Sequence, residues 1–217
     1  MTATSRLYQG TSTEARIEER RQRLLQTAFD AMADNSWRSM SINQICRDAG
    51  LTKRYFYESF DSLDELADNV TAQLSGKVIE LAFSAAAEGT QQRLPNLELA
   101  RKVMKQVLGY LTDDPRRARV LFGEAADNPV ARANRRNVIS ALASAVNQYG
   151  HQHYQAGNKT DPIATLTSSM LVGGTIEAIL LWLEGGMDMG REQFIDDVAE
   201  MWMINGDAAA AIGRRRN

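Results

Sequence analysis

Apolar residues recur every three or four positions along nearly the whole chain, a period that suits packed α-helices and little else. Ile17, Leu24, Leu25, Ala28 and Met32 share one helical stripe. So do Leu63, Leu66, Val70, Leu74, Val78 and Leu81, and later Val103, Met104, Val107, Leu108 and Leu111. No segment alternates apolar and polar residues between hairpin turns, so a sheet is not expected. Three of the four prolines follow Asp or Asn, at Asp114-Pro115, Asn128-Pro129 and Asp161-Pro162. A capping residue ahead of proline at the first helical position marks a helix start, so each pair opens a helix. The expected fold is all-α, with about nine helices near 13–34, 41–48, 52–58, 62–86, 96–111, 115–124, 129–156, 162–184 and 191–206. The first three form a head, residues 1–60, and residues 61–217 form a larger helical body. Residues 1–10 and 207–217 read as loose ends.

Several kinds of chemistry find no support. Cys46 is the only cysteine, so no intramolecular disulfide forms, and its place on an inward stripe makes it a core thiol. His151 and His153 are two residues apart, whereas a metal pair on a helix needs three or four. Asp113-Asp114 and Asp196-Asp197 are adjacent and point apart on a helix, so neither is an acid/base pair. There is no glycine-rich phosphate loop and no Gly-x-Ser-x-Gly nucleophile. The expectation is therefore no metal, no cofactor and no enzyme. The first sixteen residues lack the apolar core of a secretory signal. The apolar run Met170–Leu183 is shorter than the roughly 20 residues of a membrane span, and it contains Glu177. A cytoplasmic protein without a membrane role is expected.

The informative stretch is Ser41–Phe60, "SINQICRDAGLTKRYFYESF". Ser41 and Gln44 make a candidate capping box, with Met40 and Ile45 as a hydrophobic staple. Gly50 suits the left-handed residue that ends a helix. Thr52 is a candidate cap for the next helix, stapled by Leu51 and Phe56. Two short helices joined by a glycine turn form the helix-turn-helix pattern. On the second helix Phe56 and Phe60 share a face that packs inward on Leu24, Ala28, Ile42 and Ile45. Lys53, Arg54, Tyr55 and Tyr57 are left facing out. Together with Ser41 and Thr52 they form a candidate surface for double-stranded DNA. Lys53, Thr52 and Tyr57 suit phosphates, Arg54 suits guanine, and Tyr55 suits stacking or a thymine methyl. Residues 1–60 carry 9 Lys and Arg against 7 Asp and Glu, within a chain of net charge −2, so charge alone adds little. The "GRRR" tail at 213–216 reads as a solvated end.

This stretch, continued through "DSLDEL", resembles the DNA-binding head of the tetracycline-repressor (TetR) family of bacterial regulators. Ile45, Ala49, Gly50, Leu51, Thr52, Tyr57, Phe60 and Leu66 stand where that family's pattern has them, over residues 13–66. Leu63 departs from it, since members often place a phosphate-contacting Lys there. Arg54 and Tyr55 stand where members often have small residues, which implies an unusual operator. The resemblance implies a ligand-responsive repressor that binds a near-palindromic operator as a homodimer.

Two further sets of residues follow. Met170, Gly173, Gly174 and Glu177 occupy neighbouring turns of one late helix, and Phe194, Val198, Met201 and Trp202 make an apolar stripe on the next. Glycines let helices approach closely, so these eight are the candidate dimer seam. The resemblance also implies a small-molecule pocket in the body. Met104, Leu108, Phe122, Tyr149 and Trp182 are its candidate lining, and their character suits a hydrophobic effector. The competing reading is an all-helical enzyme or carrier for a lipid-like molecule, with no role on DNA.

Overall fold

A computed structural model of the chain describes residues 13–123, 129–154 and 162–216. Within residues 129–154, the side chains of 129–132, 134–135 and 151–154, those of His151 and His153 among them, lie outside the description. The described residues form helices and no strands. The helices are α1 (Thr13–Ala33), α2 (Ile42–Asp48), α3 (Lys53–Tyr57), α4 (Leu63–Gln91), α5 (Asn96–Asp113), α6 (Pro115–Phe122), α7 (Pro129–Tyr154), α8 (Pro162–Leu183) and α9 (Arg191–Arg216). A single 3-10 turn, Trp37–Ser39, precedes α2.

The chain divides into two compact units, with the boundary between Val70 and Thr71, inside α4. That is ten residues later than the division read from the sequence. The reason is packing: Leu66, Ala67 and Val70 are buried in the first unit's core, and Asn69 accepts a 2.6 Å hydrogen bond from Arg21 of α1.

Local chemistry accounts for several helix ends. Ser41 and Gln44 form a complete capping box at α2. At the start of α4, Ser62 Oγ accepts from the Glu65 amide at 3.1 Å, as a cap does, and the Glu65 carboxylate reaches one residue further back to accept from the Asp61 amide at 2.6 Å. Asp114 caps α6 ahead of Pro115, accepting from the Arg116 amide at 3.1 Å. Two ends differ from expectation. α4 runs on to Gln91, through Ala85, Ala86 and Ala87, which keep helical propensity high after the apolar stripe thins. α9 continues to Arg216, so residues 207–216 are helix and not a loose tail. Four consecutive alanines, Ala208–Ala211, favour the helix, and three arginines in its last turn suit the negative end of the helix dipole.

The second unit has one hydrophobic core, centred on Leu108, Leu111, Phe122, Ile176, Ile179, Phe194 and Ala199. α5 and α9 pack antiparallel. Three surface ion pairs mark the register: Arg101 with Asp196 (3.3 Å), Lys105 with Glu192 (3.4 Å) and Arg191 with Asp113 (2.7 Å). α8 is 22 residues long and apolar enough to cross a membrane by length and composition, which the shorter run read from the sequence missed. Its apolarity has a nearer cause. Val172, Ile176 and Ile179 sit in the core, and the helix packs against both α7 and α9.

Candidate nucleic-acid interface and body cavity

The head holds its helix pair through a tightly built turn. Gly50 has φ +64°, the left-handed region. The Leu51 amide donates to the Cys46 carbonyl (2.7 Å) and the Gly50 amide to the Arg47 carbonyl (3.0 Å), which is a Schellman motif. Arg23 of α1 donates to the Ala49 carbonyl at 2.5 Å. A Cβ at position 50 would lie 2.7 Å from that guanidinium. Conformation therefore favours glycine, and a side chain here would also have to displace the end of Arg23.

This turn sets the direction of α3. Phe56 is 0% exposed, and Phe60 is buried beside it with ring centroids 6.1 Å apart. Both join Leu24, Ala28 and Ile45 in the core; Ile42 is only half-buried. Tyr57 meets Phe56 edge-on at 5.4 Å and remains 55% exposed. Ser41, Thr52, Lys53 and Arg54 are exposed on the same unit. Thr52 occupies the cap position of α3, but its side chain makes no capping bond. Its backbone is still extended, so the helix starts where expected, while the hydroxyl is not committed to the cap.

Two features of this surface depend on α1 and were not visible in the local sequence. Tyr55 is half-buried, with the Arg20 guanidinium 4.3 Å above its ring. Glu58 pairs with Arg54 at 3.1 Å and with Arg20 at 3.6 Å. Tyr55 is therefore held at the edge of the exposed face, and Arg54 is oriented by a carboxylate one turn on. Leu63 is half-buried at the first position of α4 and offers no cation. Cys46 is buried, and burial pushes its thiol pKa up, with Lys53 opposing part of that rise.

In the second unit, α4 to α9 enclose a cavity of about 300 Å³. Met104, Leu108, Phe122 and Tyr149 line it. Trp182 does not. Its ring stacks on Phe194 at 5.3 Å and its indole donates to the Met189 carbonyl at 3.0 Å, so it anchors the α8–α9 link. Burial raises the pKa of Tyr149, and a hydrogen bond with Thr90 offsets part of the rise.

The eight candidate seam residues separate. Met170 is 65% exposed; Gly174, Glu177 and Met201 are also exposed, and Gly173 is half-exposed with open space where a Cβ would stand. Phe194 is buried in its own chain's core, and Val198, partly buried, packs against that core. Trp202 lines the cavity and donates to Thr175 Oγ1 at 2.8 Å. Leu166, Leu181 and Ile204 are exposed large apolar residues on the same two helices, and sequence reasoning omitted them. Helices apolar on every side carry no period that separates inside from outside.

A helix-turn-helix head carried on a larger helical body defines a class of DNA-binding architecture. No family model and no curated protein matches this sequence. Solved structures do match the fold. The fatty acid degradation regulator FadR from Bacillus halodurans superposes with TM-score 0.67 at 13% identity, covering 84% of this chain and 94% of its own. A TetR-family transcriptional regulator from Streptomyces coelicolor gives TM-score 0.65 at 18% identity, over 90% and 83%. FadR from Bacillus subtilis, in complex with stearoyl-CoA, gives 0.62 at 17%, over 83% and 96%. The fold is that of the TetR-family transcriptional regulators.

Proposed function

We propose that this chain is a DNA-binding transcriptional regulator, a ligand-responsive repressor that grips a palindromic operator as a homodimer. The observation that carries the reading is the outward face of α3. Phe56 and Phe60 anchor the helix, and Lys53, Arg54 and Tyr57 are left exposed with Thr52 and Ser41. The DNA-binding domain, residues 1–60 by sequence, takes in the start of α4 as far as Val70, and the effector and dimerisation domain follows it to residue 217. Tyr55 acts at the edge of the interface, through Arg20. The exposed apolar residues of α8 and α9 supply the dimer seam, which would set two recognition helices about 34 Å apart, one turn of DNA. The apolar cavity takes a small hydrophobic effector, and the stearoyl-CoA held by the structurally similar B. subtilis regulator supports that. To carry operator occupancy from 99:1 to 1:99, the effector must prefer the non-binding state by about 5.5 kcal/mol. The protein works in the cytoplasm and performs no catalysis.

The cavity alone would also suit a carrier for lipid-like molecules. A selection from random duplex DNA separates the two readings. Enrichment of an inverted repeat supports the regulator, and no enrichment at moderate salt supports the carrier.

A further inference from the structure

The cavity has a direction. At one end Leu108, Phe122 and Ile179 close it, each of them fully buried. At the other, several helix ends come together. Tyr149 bonds Thr90, Asn147 donates to Thr165 at 3.2 Å, and Gly89 lies against Leu99. The lining residues at this end are small ones such as Gly150, Ala164 and Gly213, with Asn96 and Arg214 exposed at the rim. Along α8 the lining runs from Ile163 to Ile179, about 24 Å at 1.5 Å per residue. The lined stretch is long, and its walls are mostly aliphatic.

Charge is equally one-sided. Among the described residues, Arg214 is the only charged side chain in the lining, and no carboxylate is present. Arg215 and Arg216 follow it in the same exposed turn. The helix C-terminus carries about half a negative charge, which one arginine would more than balance. Arg214 therefore places a cation at the rim of an apolar space.

We propose that the effector class is an elongated amphiphile: a long aliphatic chain in the tube and an anionic head, carboxylate or phosphate, at Arg214. This rests on the regulator reading only for the word effector; the binding itself is a property of the second unit. A cationic amphiphile finds no partner in this lining, and a compact polar ligand leaves its hydrogen bonds unmade.

Calorimetric titration of the full chain with hexadecanoate, hexadecanoyl-CoA, hexadecanol and octanoate tests it. Hexadecanoate should bind at least tenfold more tightly than hexadecanol or octanoate, since a charge-assisted contact and eight methylenes are each worth that much. Arg214→Ala lies in an exposed last turn and keeps the fold. It should weaken hexadecanoate about tenfold and leave hexadecanol unchanged. Ala209→Phe, and separately Ala164→Phe, fill the tube and should abolish binding, with thermal melting as the check on folding. Tighter binding of hexadecanoyl-CoA than of hexadecanoate would place a phosphate head at the rim, and the reverse a carboxylate. Equal affinity for hexadecanol and hexadecanoate, or indifference to Arg214→Ala, overturns the anionic head. Binding unaffected by both filling variants overturns the tube. If the acid binds as described while operator affinity stays constant, the ligand class stands and the effector role fails.

Discussion

Phe56→Ala is the sharpest probe of the head. The ring is fully buried, packs on Phe60 and Tyr57, and ties α3 to α1 and α2. Truncating a buried Phe to Ala costs about 3–5 kcal/mol, transfer and cavity together. At 0.05–0.15 kcal/mol per residue, the unit ending at Val70 holds about 3.5–10 kcal/mol in all. The substitution therefore removes a third of its stability at the least and unfolds it at the most. With about 4–8 °C per kcal/mol for a domain this size, its transition should fall by 12 °C or more. Scanning calorimetry reads the shift, and labelling of Cys46, buried in the same core, assigns it to the head. Tyr57→Phe is the control: that side chain is mostly exposed, so stability should hold within about 0.5 kcal/mol while DNA affinity drops. A Phe56→Ala head that melts within 3 °C of the parent would show that α3 is not anchored by this ring, and the outward assignment of its neighbours would go with it.

Other consequences can be checked as directly. Lys53→Ala should weaken binding to all duplexes and lower the salt slope by about 1, whereas Arg54→Ala should cost roughly 1–3 kcal/mol and blur one base position, both read by titration against the selected operator. Met170→Asp on the exposed face of α8 should shift the protein to monomers by light scattering, with its helix content kept. Asp114 is held below the ordinary carboxylate range, first by its side-chain hydrogen bond with Arg116. A depressed carboxylate stabilises the fold above its unfolded pKa, and that contribution disappears as pH falls through the folded value. Asp114→Asn should therefore lower stability near neutrality and flatten the acid limb of the stability profile below about pH 4, measured by urea melts. The Cys46 thiol, raised by burial, should react with iodoacetamide more slowly than free cysteine at pH 8, with its rate profile displaced to higher pH.

What the sequence made legible was local. Ser41 with Gln44, Gly50, and the spacing of Phe56 and Phe60 each act within one or two turns, and each stands in the structure as those residue types require. What it hid was tertiary. Arg20 lies 35 residues before Tyr55, and nothing near either one announces the stack. The surroundings of Trp182, which stands outside the cavity lining, and of Phe194, which is buried in its own chain's core, were hidden for a different reason. α8 and α9 face a core, a cavity and solvent at once, so apolar residues appear on all sides and the choice among faces is made only by packing. The end of α9 was missed because "DAAAAIG" has propensity without period, and propensity alone is a weak guide.

The turn at Gly50 bears on how the head tolerates change. A side chain there would meet a disfavoured backbone and a guanidinium already bonded to the neighbouring carbonyl, so relieving one obstacle leaves the other. In a saturation library scored for folding, position 50 should come out nearly empty of substitutes. Swapping Arg23 for a shorter residue should reopen it only to Asn and Asp, the types that accept left-handed geometry most readily.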